Sequence, residues 1–262
     1  MRASAPEWMV LAGGGVCLAL VALTREAGKN GKLQRKIETQ GIHTVELPCL
    51  AFQPIPQAVP LLQEKLKEAE KLNAWVLVTS QDAARVVANA WNAAGKPNVR
   101  LASVGDATTK ALAADGLGCE FVPSKALGQV LANELPAFDR GERVIYPCSA
   151  LAADTLLDAL EMRGFSTERI ETYTTVPAPW GEKELNQARR VNVVTFASPS
   201  AVRVWNKRVG NSASAVCIGE TSGREARALG FDKVVFPESP GLENWADAVI
   251  STVEKVESWI SS

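Results

Sequence analysis

The stretch that decides the fold is Val191-Asn-Val-Val-Thr-Phe-Ala-Ser-Pro-Ser-Ala-Val-Arg-Val-Trp205, and it has a counterpart in Trp75-Val-Leu-Val-Thr-Ser-Gln-Asp-Ala-Ala-Arg-Val-Val87. In both stretches an apolar, β-branched run predicts a buried strand. A short polar elbow follows, and an Ala/Val/Arg run then opens a helix. The chain therefore contains the same strand–elbow–helix unit twice.

The repeat extends on both sides of this unit. Residues 101–116 match 215–230, residues 121–123 match 235–237, and residues 38–44 match 161–167. Gly105 and Gly219 are 114 positions apart in a chain of 262 residues. The period is therefore that of a duplicated domain and not of a short solenoid repeat.

Composition fits two domains of ordinary size. The chain has 47% hydrophobic and 22% charged residues, which is enough apolar material for two cores. Strands and helices alternate throughout, which predicts parallel sheets covered by helices on both faces. Lys and Arg number 28 against 29 Asp and Glu, so the sequence gives no indication of a nucleic-acid-binding surface.

The cysteine and histidine content argues against disulfide and metal chemistry. Five cysteines stand far apart without a CxxC pair, which indicates free, mostly buried thiols in a reducing compartment. They are Cys17, Cys49, Cys119, Cys148 and Cys217. His43 is the single histidine and excludes a multi-histidine metal site.

The apolar stretch from Met9 to Leu23 is too short for a comfortable membrane span. We predict that residues 18–23 form the first core strand and that about the first dozen residues are a disordered lead or the remnant of a targeting segment. Gly13 to Gly15 lack the GxGxxG spacing and the preceding strand of a dinucleotide site. No membrane contact is expected.

Two helices and two extended segments organise the middle of the chain. A charged helix over 61–72 is expected to face a core with Leu61, Leu62, Leu66 and Leu72, and a second helix is expected over 151–163. Extended segments at 42–52 and 167–177 mirror one another. If the repeated units are arranged in tandem, the domain boundary lies near Arg140. If the mirrored segments pair with one another, the middle of the chain is an inserted domain. The residues alone leave both divisions open.

Polar elbows follow the predicted strands at the edge where open parallel sheets bind ligands. They lie at Thr24, Ser80, Gly105, Ser149, Ser198 and Gly219. Each offers free backbone N–H groups and most offer a hydroxyl, which suits carboxylates or phosphates. Alternatively, Ser80, Ser198, Thr108 and Ser222 are only N-caps, worth about 1 kcal/mol each. Recurrence in both halves, facing a shared cleft, favours anion binding.

Nucleophilic catalysis has little support, because the chain lacks a GxSxG elbow and has one histidine. Cys148 follows Pro147 in an elbow and is a weak candidate nucleophile. Tyr173 is one of two tyrosines, and its phenol is a candidate proton donor. The alternative for Tyr173 is an ordinary strand aromatic.

Several motifs, taken in order, resemble those of the uroporphyrinogen-III synthase family. They are Thr79-Ser80, Val104-Gly-Asp-Ala-Thr108, Tyr146-Pro-Cys148, Glu171-Thr-Tyr-Thr-Thr-Val176, Phe196-Ala-Ser-Pro-Ser-Ala201 and Cys217-Ile-Gly-Glu-Thr-Ser-Gly-Arg-Glu-Ala226. Thr24-Arg-Glu-Ala-Gly-Lys-Asn30 and Pro237-Glu-Ser-Pro-Gly-Leu-Glu-Asn-Trp245 are similar to plant and algal members. The resemblance covers about residues 21–253.

The resemblance implies two doubly wound, parallel-sheet α/β domains of related topology joined by a two-stranded β connector. One domain would consist of residues 1–44 and 175–262, and the inserted domain of residues 50–168. The connector strands would span about 42–50 and 167–177.

The resemblance also implies a cofactor-free cyclising lyase. Its substrate would be hydroxymethylbilane, which loses water and closes to uroporphyrinogen III with ring D inverted through a spiro intermediate. The substrate also closes unaided to the uninverted isomer, so positioning would outweigh acid–base strength. A monomer in the plastid stroma, with transient contact to hydroxymethylbilane synthase, is expected, and the alternative location is the cytoplasm.

Family roles transfer to Tyr173 as the residue assisting hydroxyl departure and to Ser80, Thr108, Ser198 and Ser222 as carboxylate contacts. The full predicted substrate-binding set is Arg25, Thr79, Ser80, Gln81, Gly105, Thr108, Cys148, Ser149, Ala197, Ser198, Pro199, Ser200, Gly219, Thr221 and Ser222. Gln81-Asp82 departs from the usual proline after the serine, and Asp82 adds negative charge near an anionic substrate. The rival class is a non-catalytic, two-lobed binder of a small polyanion.

Overall fold

A computed structural model describes residues 19–137, 141–239 and 241–260. The predicted leader of about a dozen residues lies outside the described residues, and so does Cys17. The first strand, predicted from residue 18, is observed from Leu20.

The described strands are β1 (Leu20–Leu23), β2 (His43–Glu46), β3 (Leu50–Pro54), β4 (Trp75–Val78), β5 (Arg100–Ser103), β6 (Arg143–Ser149), β7 (Ser166–Pro177), β8 (Val193–Phe196), β9 (Ser214–Cys217) and β10 (Val234–Val235). The described helices are α1 (Gly31–Glu38), α2 (Ala58–Leu72), α3 (Gln81–Ala93), α4 (Asp106–Ala114), α5 (Gly128–Glu134), α6 (Thr155–Met162), α7 (Glu182–Ala188), α8 (Pro199–Val209), α9 (Glu220–Ala228) and α10 (Leu242–Ile260). None of the described helices combines the length and the apolar character needed to span a bilayer.

The chain divides into two compact units, each with its own sheet. Unit 1 contains the described residues up to Ala51 and those from Val176 onward, and unit 2 is Phe52–Thr175. The sheet of unit 1 has the strand order β10-β9-β8-β1-β2, with parallel pairing throughout. The second sheet has the order β3-β7-β6-β4-β5, with parallel pairing from β7 to β5.

The two sheets share one spatial plan although the chain visits their strands in a different order. In unit 1, β1 leads through α1 to β2 on one side, and β8 leads through α8 to β9 on the other. In unit 2, β6 leads through α6 to β7, and β4 leads through α3 to β5. Each sheet is therefore doubly wound, and the predicted fold class is confirmed.

Apolar residues fill a core on each face of each sheet because successive strand side chains point to opposite faces. In β8, Val193 packs with Trp245 in one core, and Val194 packs with Trp205 in the other. The second sheet divides its buried side chains between two cores in the same way. Burial on both faces explains why these strands read as continuous apolar runs.

The predicted two-stranded connector is not confirmed as a separate element. Residues 42–50 do not form one strand: β2 pairs with β1 in the first sheet, and β3 lies beside β7 in the second. Pro48 lies between them and has no N–H to continue a ladder. The first segment therefore supplies an edge strand to each sheet, β2 and β3, and the second segment forms β7, which lies between β3 and β6. The predicted domain boundaries stay a prediction.

Two helix predictions were wrong in detail. In α2, Leu62 and Leu66 are buried as expected, but Leu61 and Leu72 are 43% and 51% exposed, because the buried face continues through Ala58 and Ala69 instead. The helix predicted from residue 151 begins at Thr155.

The reason for the late start of α6 lies in the preceding strand. β6 continues through Pro147 and Cys148 to Ser149, where an elbow was expected, and pairs with β7 along this length. The turn is thereby displaced to residues 150–154, and Leu151 is 71% exposed in it.

Candidate functional site

Each sheet has one position where the connections leave neighbouring strands toward opposite sides. In unit 1 this position lies between β1 and β8, and in unit 2 between β4 and β6. In doubly wound sheets, ligands bind beyond the carboxyl ends of the strands at such a position. The segments found there are Thr24–Arg25 and Ala197–Ser198 in unit 1, and Thr79–Ser80 and Ser149 in unit 2.

Ser80 and Ser198 are equivalent N-caps of α3 and α8. Both have extended backbone, and their Oγ atoms accept hydrogen bonds from the N–H groups of Ala83 at 3.0 Å and Ala201 at 3.2 Å. Pro199, at the start of α8, lacks an N–H that the helix would leave unpaired in any case. The N-cap interpretation is confirmed for both serines.

Ser80→Ala and Ser198→Ala are each expected to lower the free energy of unfolding by about 1 kcal/mol, since one cap hydrogen bond is lost. Turnover should change little in Ser198→Ala, because the backbone N–H donors of the first helical turn remain. In Ser80→Ala turnover should fall, because the Ser80 Oγ also lies 2.8 Å from the Tyr173 hydroxyl. Urea unfolding and initial rates measure the two quantities. Full turnover in Ser80→Ala, or a loss near that of Tyr173→Phe in Ser198→Ala, would contradict this expectation.

The N-cap interpretation is wrong for Thr108 and Ser222. Each is the third residue of its helix, and the N-caps are Gly105 and Gly219, which have no side chain to cap with. Thr108 is 5% exposed and Ser222 is 3% exposed. The hydroxyls of Thr108 and Ser222 therefore do not cap these helices.

Thr108 lines a cavity at the N-terminus of α4. The cavity has a volume of about 370 Å³ and lies between the first turn of α4 and residues 122–126. Gly105 permits a close approach here, because a Cβ at this position would lie 2.8 Å from the Cβ of Ala126. A hydroxyl and helical N–H groups suit an anion, although the exposed Asp106 carboxylate lies at the same rim.

The equivalent corner of unit 1 lies at the start of α9. Thr221 is exposed and Ser222 is buried. Gly223 permits close packing, because a Cβ there would meet the Phe236 ring at 2.3 Å. The ring thus lies against the first turn of α9.

Tyr173 and Ser80 come together in unit 2. The Tyr173 hydroxyl lies 2.8 Å from the Ser80 Oγ, within hydrogen-bond distance. The Tyr173 ring stacks on Phe52 with centroids 5.0 Å apart, and the residue is 7% exposed. Strand register sets Tyr173 level with Ser149 on β6. The phenol is therefore held near the carboxyl ends of β4 and β6.

Tyr146 is a site residue that the sequence interpretation missed. Its hydroxyl lies 3.1 Å from the Thr79 Oγ1, next to Ser80. Burial raises the pKa of Tyr146, and the hydrogen bond with Thr79 offsets part of this effect. The sequence placed Tyr146 in a motif but gave no sign that its hydroxyl meets the elbow after β4.

Other predicted residues lie at the same ends of the strands with different exposure. Arg25, Ser149, Ala197 and Pro199 are half-buried, and Gln81 and Ser200 are exposed. The Ser149 Oγ accepts from the Leu151 N–H at 3.1 Å, and the Gln81 amide donates to the Ala107 carbonyl at 3.4 Å. Asp82 forms an ion pair with Arg85, which reduces the negative charge that Asp82 presents.

Cys148 is 1% exposed, and burial raises the pKa of its thiol to about 11. The nucleophile interpretation therefore gains no support from the structure. The predicted substrate-binding roles, and the shared cleft expected for the two halves, stay predictions. The described residues contain no cluster of His, Cys, Asp and Glu able to hold a metal ion.

The four described cysteines are free, and Cys119 is half-buried where the other three are buried. Burial raises the pKa of Cys49 and of Cys217 from 9 to about 12. Between pH 9 and about pH 12 these two thiols keep their protons in the folded state but have lost them in the unfolded state. This contribution to stability is fully present below pH 9 and is lost as the pH rises toward 12.

We therefore expect the urea midpoint of unfolding to fall between pH 8 and pH 10.5, and to fall less in Cys217→Ala than in the unmodified chain. Unfolding curves at the two pH values measure the difference. Equal falls in both proteins would show that the buried thiol does not contribute.

The fold and these strand-end groups define the class: a two-unit, doubly wound α/β protein with hydroxyl and amide donors at the ligand-binding ends of both sheets. Residues 31–247 match the family model described as uroporphyrinogen-III synthase HemD. The chain belongs to the uroporphyrinogen-III synthase family.

Similar proteins agree with this assignment. The chloroplastic uroporphyrinogen-III synthase of rice, Oryza sativa subsp. japonica, is 37% identical over 245 residues, covering 89% of this chain and 80% of the rice protein. Uroporphyrinogen-III synthetase of Helicobacter pylori matches in fold with a TM-score of 0.61 at 15% identity, covering 90% and 99% of the two chains. A mutant synthase of Thermus thermophilus matches with a TM-score of 0.56 at 19% identity and the same coverage.

Proposed function

We infer that the chain is a uroporphyrinogen-III synthase, a cyclising lyase of tetrapyrrole biosynthesis. The substrate is the linear tetrapyrrole hydroxymethylbilane, whose rings carry acetate and propionate carboxylates. Hydroxyls and helical N–H groups at the strand ends of each unit are suited to these carboxylates. Such donors bind anions without requiring a high positive net charge, and the formal net charge of this chain is −1 at pH 7.

The observation that carries the mechanism is the hydrogen bond between Tyr173 and Ser80 at the end of β4. The hydroxyl of the terminal hydroxymethyl group must leave as water, while its methylene carbon stays to form the closing bond, so the departing oxygen needs a proton. In the proposal the Tyr173 phenol gives that proton as the C–O bond breaks. The attacking pyrrole carbon later releases one proton, so the balance is the loss of one water molecule.

Ser80 fixes the direction of the phenol. Its Oγ is itself held by the Ala83 N–H, so the Tyr173 hydroxyl meets an anchored partner. Phe52 restricts the ring from one side. A donor that is held in one geometry before the substrate arrives loses little entropy during the reaction. Such positioning is the main contribution required of the enzyme, because the substrate also cyclises unaided.

The test is a coupled assay in which hydroxymethylbilane is generated and the two macrocyclic isomers are separated. The purified chain should make the inverted isomer accumulate well above the uninverted one. A non-catalytic polyanion binder, the rival interpretation, would leave the uninverted isomer dominant. That outcome would overturn the proposed function.

We further propose a monomer of the plastid stroma that contacts hydroxymethylbilane synthase transiently. The support for the location is the chloroplastic name of the rice relative. The unaided closure of the substrate to the uninverted isomer supports contact with the enzyme that supplies it. Light scattering of the purified chain, alone and mixed with hydroxymethylbilane synthase, tests the monomer and the contact.

A further inference from the structure

The two tyrosines of the chain meet two consecutive residues of one elbow. The hydroxyl of Tyr146 lies 3.1 Å from the Thr79 Oγ1, and that of Tyr173 lies 2.8 Å from the Ser80 Oγ. The elbow joins β4 to α3. It therefore receives one phenol from β6 and one from β7.

The two phenols reach the elbow from opposite faces of the sheet. Tyr146 packs with Leu77 in one core of unit 2, and Tyr173 packs with Val78 in the other. Consecutive side chains of an extended strand point to opposite faces, so Thr79 and Ser80 each meet a different phenol. Together the two contacts restrain the end of β4 from both sides.

We propose that Tyr146 is a positioning residue for the reaction: its hydroxyl fixes Thr79, and thereby fixes Ser80 and the Ser80 hydroxyl that contacts Tyr173. The inference rests on the proposed function, in which Tyr173 donates the proton. Tyr146 acts through the elbow and needs no contact with the substrate.

The positioning role of Tyr146 depends on its hydroxyl and not on the size of its ring. The residue is 5% exposed and its ring is part of a packed core, so phenylalanine would keep the ring contacts. A tyrosine phenol is protonated at neutral pH, and burial raises the pKa of Tyr146 further, so its hydroxyl remains available for the contact with Thr79. Tyr146→Phe thus removes one contact and leaves the packing.

The expected effect of Tyr146→Phe is a fall in kcat of about three- to tenfold with little change in KM, because a displaced donor slows the reaction without weakening carboxylate binding. Thr79→Val removes the same contact from its other end and should give a similar fall. If Tyr146→Phe does not fold, Thr79→Val carries the test.

The decisive readout is the double variant Tyr146→Phe/Tyr173→Phe. If Tyr146 acts through Ser80 and Tyr173, the double variant should be no slower than Tyr173→Phe alone, since groups that act as a unit are not additive. If the two substitutions instead lowered kcat independently, the fold losses of the single variants would multiply in the double variant. A double variant slowed by the product of the single losses would overturn the inference.

Thr172→Val is the matched control. The Thr172 Oγ1 donates to the Cys148 carbonyl at 3.1 Å, so the variant also removes one buried side-chain hydrogen bond between β6 and β7 without touching the elbow. Its kcat should equal that of the unmodified chain, and a fall matching that of Tyr146→Phe would overturn the inference.

The failures of the two ideas are distinguishable. Full turnover in Tyr146→Phe, together with a slow Tyr173→Phe, overturns this inference alone. Full turnover in Tyr173→Phe overturns the proton-donor role and this inference with it.

Discussion

Tyr173→Phe should lower the turnover of hydroxymethylbilane to the inverted isomer on the order of a hundredfold, the size typical of losing a positioned proton donor. The substitution removes the hydroxyl that lies 2.8 Å from the Ser80 Oγ. The aromatic ring stays, and so does its stacking on Phe52. The loss should therefore appear in kcat and not in folding. Initial rates of isomer formation measure it.

Two controls accompany this variant. Its free energy of unfolding, measured by urea unfolding, should fall by no more than about 1 kcal/mol, the usual loss for one hydrogen bond. Ser198→Ala, at the equivalent elbow of unit 1, should keep most of the turnover, because both tyrosines of the chain contact the Thr79–Ser80 elbow. If Tyr173→Phe retains the full rate, the proton-donor role must be withdrawn.

Trp245→Ala should lower the free energy of unfolding by about 3–5 kcal/mol, the usual loss for truncating a fully buried tryptophan. Trp245 is 0% exposed on α10 and packs in the core with Val193 and Val216. Its indole N–H also donates to the Val216 carbonyl at 3.0 Å, which would lose this donor inside the core. Urea unfolding measures the effect.

The same helix supplies the control for this variant. Trp259 is 68% exposed, and its ring lies 5.5 Å from the Lys233 ammonium. Trp259→Ala should change the free energy of unfolding by about 0.5 kcal/mol or less, as exposed positions usually do. Similar losses in both variants would show that α10 does not bury its Trp245 face as described.

The sequence predicted those parts of the site that depend on neighbouring residues. Ser80 and Ser198 were located correctly because a strand, an elbow and a helix start follow one another within a few residues. Gly105 and Gly219 were located by the same local pattern. Hydroxyls at such elbows are recognisable because capping and helix N–H exposure are properties of one short segment.

Contacts between segments distant in the chain were not predicted. Tyr146 and Thr79 meet because β6 lies beside β4 in the sheet. No periodicity along one strand carries that information. The exposure of Leu61 escaped prediction for the same reason, since it depends on which partner covers a helix face.

By itself, the sequence determined that the chain holds a duplicated strand–elbow–helix unit, that its strands are buried on both faces, and that hydroxyls follow them. These features arise from local conformational preference and from the burial of apolar runs. Only the tertiary structure decided that β6 lies between β4 and β7, and that two phenols hold one elbow. Strand order depends on hydrogen bonding between distant segments, and a linear pattern does not encode it.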